Sequence, residues 1–322
     1  MKLNWGILGA GWIAGDMAEV LYKSGRPAYS IANRTKANAE KLAKQYGIQK
    51  VYDDPGDIFK DENVDAIYIA TPHNRHFEAI IQALKNGKHV LCEKSITLNI
   101  TQLREAAELA EKNGLVLAEA MTVYHMPLYK ELALRLKRGE FGRVNFINVF
   151  HGSFKEYDMS NRFFSKALAG GAILDLGVYA LAFVRQFLNS SPDIVKSAAV
   201  LAPSGVDEQE SIVLMNKDMQ TASITLSLHS KSPKYGIVSC EKAYIEISDY
   251  QRPSDAKITY SDSGRSEIIS AGEHDKALLY EIQDLEASVS GTDCTYLNYS
   301  TDVMEIMSRL RDEWGVIYPE EE

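Results

Sequence analysis

Lys2 to Asp16 reads KLNWGILGAGWIAGD. The apolar run Trp5-Gly6-Ile7-Leu8 ends in Gly9-Ala10-Gly11-Trp12-Ile13-Ala14, which predicts a strand entering a glycine turn that opens a helix. Gly9 permits the tight turn, Gly11 lets the main chain approach a phosphate, and Ala14 keeps the helix close to the strand. The first amides of such a helix, with the positive end of its dipole, suit a pyrophosphate. A G-x-G-x-x-A match alone is weak, because many glycine turns hold nothing. Here a strand-like run precedes it and a second follows at the spacing of a βαβ unit. Dinucleotide binding is therefore preferred over a purely structural turn.

The 322 residues suffice for two domains, with 45% hydrophobic and 25% charged residues, an ordinary globular composition. A formal net charge of −9 argues against nucleic acid as the main partner, since phosphate backbones demand clustered Lys and Arg. No apolar run is read as approaching the roughly 20 residues of a membrane span. The sequence enters its first strand without a secretion-type leader, and Cys92, Cys240 and Cys294 lack a CxxC spacing. Reduced thiols in a cytoplasmic protein are expected, not disulfides or zinc.

The second strand-like run, residues 29–33, ends in Asn33-Arg34-Thr35-Lys36. Enzymes that use NAD usually place a carboxylate there for the ribose 2′-hydroxyl. With no carboxylate present, and with the planar fork of Arg34 suited to a 2′-phosphate, NADP(H) is favoured over NAD(H). The alternative is a solvated arginine opening a helix. A helix over 36–46 closes at Gly47. Further strands are expected at 64–70, 88–92 and 115–118, with helices between, which describes a doubly wound parallel sheet. Its carboxyl edge carries Gly9 and Gly11, Asn33 and Arg34, residues 71–76, Glu93 with Lys94, and residues 119–121. Ligands of such sheets bind outside that edge.

Beyond Met121 the pattern changes. A helix over 125–138, a strand over 144–151, a glycine turn with a helix over 170–188, several strands up to about residue 270 and two late helices predict an α+β domain. Its sheet is large, mostly antiparallel and open-faced. The expected division is 1–122 for the cofactor and 123–322 for substrate and dimerisation.

The GAGWIA turn, ATPHNRH at 70–76, GKHVLCEKS at 87–95 and GGAILDLGVYALAF at 170–183 together resemble the Gfo/Idh/MocA oxidoreductases, typified by glucose–fructose oxidoreductase and inositol dehydrogenase. The resemblance covers nearly the whole chain. DLGVY is similar to the NADP-dependent dihydrodiol and aldose dehydrogenases, whereas inositol dehydrogenases tend to carry His where Tyr179 stands. What the resemblance implies is a Rossmann domain, a second domain with an open sheet, and hydride transfer between NADP(H) and a sugar, polyol or diol. It also implies a homodimer or higher homo-oligomer through that sheet. Lys94 matches the lysine between nicotinamide and substrate, and Glu93 its neighbour. Asp175 and Tyr179 match the polar pair on the second-domain helix, with tyrosine as proton donor. Gly9, Gly11, Trp12, Ile13 and Ala14 match the pyrophosphate turn. Arg34, next to Asn33 at the strand end, matches the family's 2′-phosphate arginine, and Thr71, Pro72 and His76 match the signature beside the cofactor. Arg162 matches an arginine before the glycine pair. Ser95 replaces the usual proline after the lysine, and for serine a trans peptide is the cheaper form.

Carbonyl reduction requires a hydride, positive charge for the growing alkoxide and a proton. Asp175 and Tyr179, four apart, share a helix face. A cleft between the domains is expected to join them with Lys94. Tyr179 is read as general acid in reduction and base in oxidation, and Lys94 as the group polarising the substrate oxygen, with Lys94 as proton carrier the competing assignment. Without the resemblance, Tyr179 on an apolar helix reads as a packed core tyrosine, and Asp175 has a rival reading as a helix cap. His73, His76, His125 and His151 show no helical ligand pair, so no metal is expected; His76 is read as tying its loop. Tyr124, His125, Phe150, Phe154 and Tyr157 are candidates for a substrate pocket. A cofactor-sensing protein without turnover is the rival function, and an enzyme with a permanently held nucleotide is a third. Substrate identity and reaction direction are not legible.

Overall fold

Trp5, Gly6, Ile7 and Leu8 are all buried and form strand β1 (Trp5–Leu8) in the computed structural model, which describes residues 2–322. Burial on both faces is what a central parallel strand requires. β2 (Ser30–Ala32) and β4 (Ala66–Ile69) flank β1 in parallel. With β3 (Lys50–Val51), β5 (His89–Glu93) and β6 (Leu117–Ala120), the sheet runs β3-β2-β1-β4-β5-β6, every neighbour parallel. The crossovers carry α1 (Trp12–Lys23), α2 (Lys36–Tyr46), α3 (Asp57–Lys60), α4 (His76–Lys85) and α5 (Ile100–Lys112). Gly47 ends α2 in the left-handed conformation at φ 65°, and the Asn99 side chain opens α5 by accepting the Gln102 amide. The doubly wound parallel sheet is as expected.

The second unit begins with α6 (Thr122–His125) and α7 (Pro127–Lys137). The helix expected over 125–138 is α7, which starts two residues later because Pro127, with no amide to donate, opens it; the short α6 precedes it. β7 (Val144–Gly152) buries Ile147, Val149 and His151 and exposes Phe146 and Phe150 on its other face. A π-helical turn (Ile173–Gly177) leads into α8 (Val178–Phe187), which is almost wholly buried. β8 (Ile194–Leu201), β9 (Asp207–Met215), β10 (Thr221–Ser227), β11 (Tyr235–Cys240), β12 (Ala243–Ser248), β13 (Asp255–Tyr260) and β14 (Ser266–Ser270) complete a sheet ordered β14-β13-β12-β11-β7-β10-β9-β8. Only the β7–β10 pair is parallel. The run Lys166–Phe187 corrects one sequence expectation: it is long and apolar enough to cross a membrane, although 83% of its apolar window is buried inside the chain.

α9 (Ala277–Val289) and α10 (Leu297–Trp314) close the chain, and they modify the expected division at 122/123. Leu278–Thr301 groups with the residues up to Ala120, while Met121–Ala277 and Asp302–Glu322 form the other unit. The reason lies in side chains four and three apart. Leu278, Ile282 and Leu285 present one helical face to a core that holds Trp5, Tyr68 and Leu91. Glu286 accepts from Trp5 Nε1 at 3.1 Å and pairs with Arg26 at 2.6 Å.

Candidate active site

The first turn needs its glycine. Gly9 has φ +118°, and a Cβ there would lie 2.4 Å from the Ala70 carbonyl oxygen. Its amide donates to Ala32 O at 2.8 Å, which fixes the turn between two strands. Gly11 is different, because a Cβ there would meet nothing within 4 Å. The protein itself does not require glycine at that position; open space in front of α1 does, if a ligand is to approach. Gly11 is the extended residue that caps α1, and no side chain among the described residues accepts the first amides. Those donors and the dipole of a 12-residue helix remain for an anion. Ala14 is fully buried against the strand, Ile13 is half-buried and Trp12 is 67% exposed. Asn33 donates to Thr35 O at 2.9 Å, and Arg34 is exposed at the end of β2. A groove of about 440 Å³ beside the turn is lined by Gly11, Trp12, Asn38 and Lys41. A groove of about 520 Å³, lined by Arg104, Glu108, Leu117 and Asp293, is remote from these residues in the same unit.

Two histidines tie the loop after β4 to the loop after β5. His73 Nε2 lies 3.1 Å from Lys94 O, and His76 Nδ1 lies 2.8 Å from Ser95 O. His76 Nε2 is also 2.8 Å from Thr71 O. Only an imidazolium could donate to both carbonyls, but complete burial pushes the His76 pKa down. The neutral ring therefore donates to one carbonyl at a time. Between these ties the Lys94–Ser95 peptide is cis, which corrects the trans form expected for serine. Lys94 is half-buried, the Glu93 carboxylate accepts from the buried Tyr68 hydroxyl, and Pro72 is exposed. The Thr71 hydroxyl oxygen is buried with no hydrogen-bond partner among the described residues. Glu119, at the end of β6, accepts from Ile96 N at 3.0 Å and from the Ser300 hydroxyl at 2.6 Å. Burial pushes its pKa up to about 7.

In the second unit the glycine pair precedes the helix that carries Asp175 and Tyr179. Gly171 has φ +125°, and a Cβ there would lie 2.4 Å from Asp207 Oδ1. Asp207 Oδ2 accepts the Ile173 amide at 2.5 Å, while Tyr318 donates to Gly170 O at 2.6 Å. The helix start is therefore capped by Asp207, and Asp175 lies in the first turn, within the π-helical segment. Arg162 Nη2 sits 3.9 Å from Asp175 Oδ1 and stacks on Phe163, whose ring also meets the Lys155 ammonium. Tyr124 and His125 are buried, whereas Phe154 and Tyr157 form an exposed cluster with His229. Phe150 points to the opposite sheet face from His151 and leaves the proposed pocket group.

The first unit thus gathers Gly9, Gly11, Asn33, Arg34, Thr71, His76, Glu93 and Lys94 along one sheet edge, and the second gathers Arg162, Asp175 and Tyr179. Sequence reasoning did not single out Tyr68, Asp207, Glu210 or Tyr250. Tyr68 was findable, since parallel pairing opposite Leu91 puts it two residues from Glu93. The others depend on pairings across long separations.

Comparison with known proteins gives the same answer from outside. Residues 3–121 match the family model of the oxidoreductase family with an NAD-binding Rossmann fold, and residues 129–246 match the GFO/IDH/MocA C-terminal domain. A trans-1,2-dihydrobenzene-1,2-diol dehydrogenase from Xenopus tropicalis is 32% identical, over 79% of this chain and 78% of the relative. An NADP(+)-type scyllo-inositol 2-dehydrogenase from Bacillus subtilis is 27% identical, over 98% of both chains. A 3-ketoreductase from Actinomadura kijaniata, solved with NADP and TDP-benzene, superposes with a TM-score of 0.80 at 22% identity, over 96% of both chains. A UDP-N-acetylglucosamine 3-dehydrogenase from Acidithiobacillus ferrooxidans gives 0.82 at 18%, over 97% of both. With both halves matched, the chain belongs to the GFO/IDH/MocA family of oxidoreductases and is an enzyme on an NAD(P)-binding fold.

Proposed function

We propose that this enzyme is an NADP(H)-dependent dehydrogenase or reductase acting on a CH–OH or carbonyl group of a small sugar, polyol or cyclic diol. It works in the cytoplasm as a homodimer or higher homo-oligomer. The observation that carries the cofactor reading is the start of α1, whose first amides no side chain caps, with exposed Arg34 at the next strand end. The buried hydroxyl of Thr71 lacks a partner of its own and fits the same reading. Gly9, Gly11, Trp12, Ile13 and Ala14 would hold the pyrophosphate, Asn33 and Arg34 the phosphorylated ribose, and Thr71, Pro72, His76 and Glu93 the nicotinamide end. When bound, NADPH supplies the hydride. Lys94, held at its carbonyl by His73, polarises the substrate oxygen. Tyr179 gives that oxygen its proton in reduction and takes it in oxidation. Asp175, paired with Arg162, fixes the charge around Tyr179. The dihydrodiol and inositol dehydrogenases among the relatives support this substrate class. Exposed Phe146, Phe150, Val213 and Tyr244 on one sheet face support association through that face, and the three free cysteines support a reducing compartment.

The test is a panel of aldoses, polyols and diols assayed with NADP+ and NAD+, for the parent and Tyr179→Phe. Turnover preferring NADP+ is expected, with the variant about 10²–10⁴-fold slower but still quenched in Trp12 fluorescence by NADPH. Cofactor binding without turnover of any member would favour a sensor, and an unimpaired variant would remove Tyr179 from the chemistry.

A further inference from the structure

The turn that follows β5 carries Lys94 and is held through several of its peptide groups. His73 and His76 meet the Lys94 and Ser95 carbonyls. The Cys92 thiol donates to Ile96 O at 3.8 Å. The Ile96 amide donates to Glu119 Oε1 at 3.0 Å, and the Ser300 hydroxyl donates to Glu119 Oε2 at 2.6 Å. Ser95, Ile96, Glu119 and Ser300 are each at most 2% exposed, and all belong to the first unit. β5 and β6 pair in parallel, with Cys92 opposite Glu119 and Glu93 opposite Ala120, after which the chain leaves the ladder. A buried amide beyond the last strand pair still needs an acceptor. The Glu119 side chain supplies one, two residues along the chain from Lys94.

We propose that Glu119 is a positioning residue for Lys94: it holds the Ile96 amide, Ser300 of α10 orients its carboxyl, and the turn that aims the lysine is thereby fixed from the β6 side. The inference rests on reading Lys94 as the group that polarises the substrate oxygen. A lysine is a charge on a flexible four-carbon stem, so what a fold can fix is the backbone from which the stem leaves. The two histidines hold that backbone from the loop after β4, through carbonyls. Glu119 holds it from the other side, through an amide. A shift of about 1 Å at a reacting group is enough to slow a reaction roughly 100-fold. The contact does not depend on the charge of Glu119. Burial raises its pKa against the Ser300 and Ile96 donors, while Glu93 raises it and Lys94 lowers it. In either protonation state the oxygen facing Ile96 accepts, and the other meets a hydroxyl that can donate or accept.

Glu119→Leu removes both contacts, and Glu119→Gln keeps them, with its oxygen toward Ile96 and its amide toward Ser300. Hydrogen exchange of the amides of 95–97, followed by mass spectrometry, reads the hold on the turn without any substrate. Exchange is expected to be about tenfold faster or more in Glu119→Leu and close to the parent rate in Glu119→Gln. Kinetics use a panel member that the parent turns over. In Glu119→Leu kcat is expected to fall roughly 10- to 100-fold, with substrate KM and NADPH affinity within about twofold of the parent. Glu119→Gln should keep kcat within about threefold. Ser300→Ala retains the acid and frees one of its oxygens, so it moves exchange and kcat the same way by less; should Glu119→Leu not fold, this variant decides. Unchanged exchange in Glu119→Leu overturns the inference, as does faster exchange with a parental kcat. A kcat as low in Glu119→Gln as in Glu119→Leu overturns it too, because the amide keeps the position and removes only the charge. A fully active Lys94→Met, or a parent that turns over no panel member, overturns the functional reading instead, and exchange still decides whether Glu119 holds the turn.

Discussion

Gly9 and Gly171 occupy matching places in two turns that open helices. Both have φ near +120°, and in both a Cβ would come within 2.4 Å of an oxygen. At Gly9 that oxygen is the Ala70 carbonyl, part of a neighbouring strand end. At Gly171 it belongs to Asp207, whose other oxygen accepts the Ile173 amide. The second helix start therefore carries its own anion, while α1 carries none. A similar φ at the two glycines leaves one helix end available to a ligand and the other closed by the protein. A glycine turn before a helix is thus only half of an anion site; the other half is the absence of an internal carboxylate.

The comparison breaks most sharply at Gly9. Gly9→Val must leave the left-handed region and clear a backbone carbonyl, so a loss of roughly 3 kcal/mol or more in stability is expected, with NADPH binding abolished. Calorimetry with and without NADPH reads both, and a variant that still gains thermal stability from NADPH would refute the assignment of that turn. Asp207→Ala should act more mildly. It exposes the Ile173 amide but relieves the neighbouring Glu210, whose proton burial and the Asp207 charge hold in place. A cost of about 1–2 kcal/mol in urea denaturation is expected, as for loss of a helix cap, with NADPH affinity unchanged. If phosphate then stabilises Asp207→Ala and not the parent, the emptied cap has become an anion site, which would sharpen the contrast.

How much of this was legible in the sequence follows from distance along the chain. The turn at 9–14, the strand-end arginine and the Gly47 stop are each written within a dozen residues, and the parallel sheet follows from their spacing. The pairing of His73 and His76 with the Lys94 loop needed the strand order, although His76 was read as a loop tie from its position alone. Asp207 lies 34 residues beyond the amide it caps. Nothing between predicts that β9 starts beneath the glycine pair, so Asp175 looked like the cap. The same holds for Tyr250, which faces His151 from 99 residues away. The helix that Pro127 opens was legible to within two residues of its start.

Glu119 extends the contrast to buried carboxyls and has the smallest expected effect. Asp207 lies beside a second buried carboxyl, Glu210; Glu119 accepts from two neutral donors, Ile96 N–H and the Ser300 hydroxyl, while the Glu93 and Lys94 charges oppose one another at it. Burial outweighs both donors and raises the Glu119 pKa from 4.5 to about 7. The folded chain therefore keeps this proton where the unfolded chain has released it. The contribution is fully present below the unfolded value, about 4.5, and is lost as pH rises through about 7. The slope it adds is at most about 1.4 kcal/mol per pH unit. Glu119→Gln imitates the protonated acid at every pH, since its oxygen accepts from Ile96 and its amide donates to Ser300. Denaturation between pH 4.5 and 8 should show the variant losing less stability than the parent across that window, with the remaining slope shared by Asp207 and Glu210. Parallel curves would mean that Glu119 is ionised throughout, with Lys94 and the two donors outweighing burial.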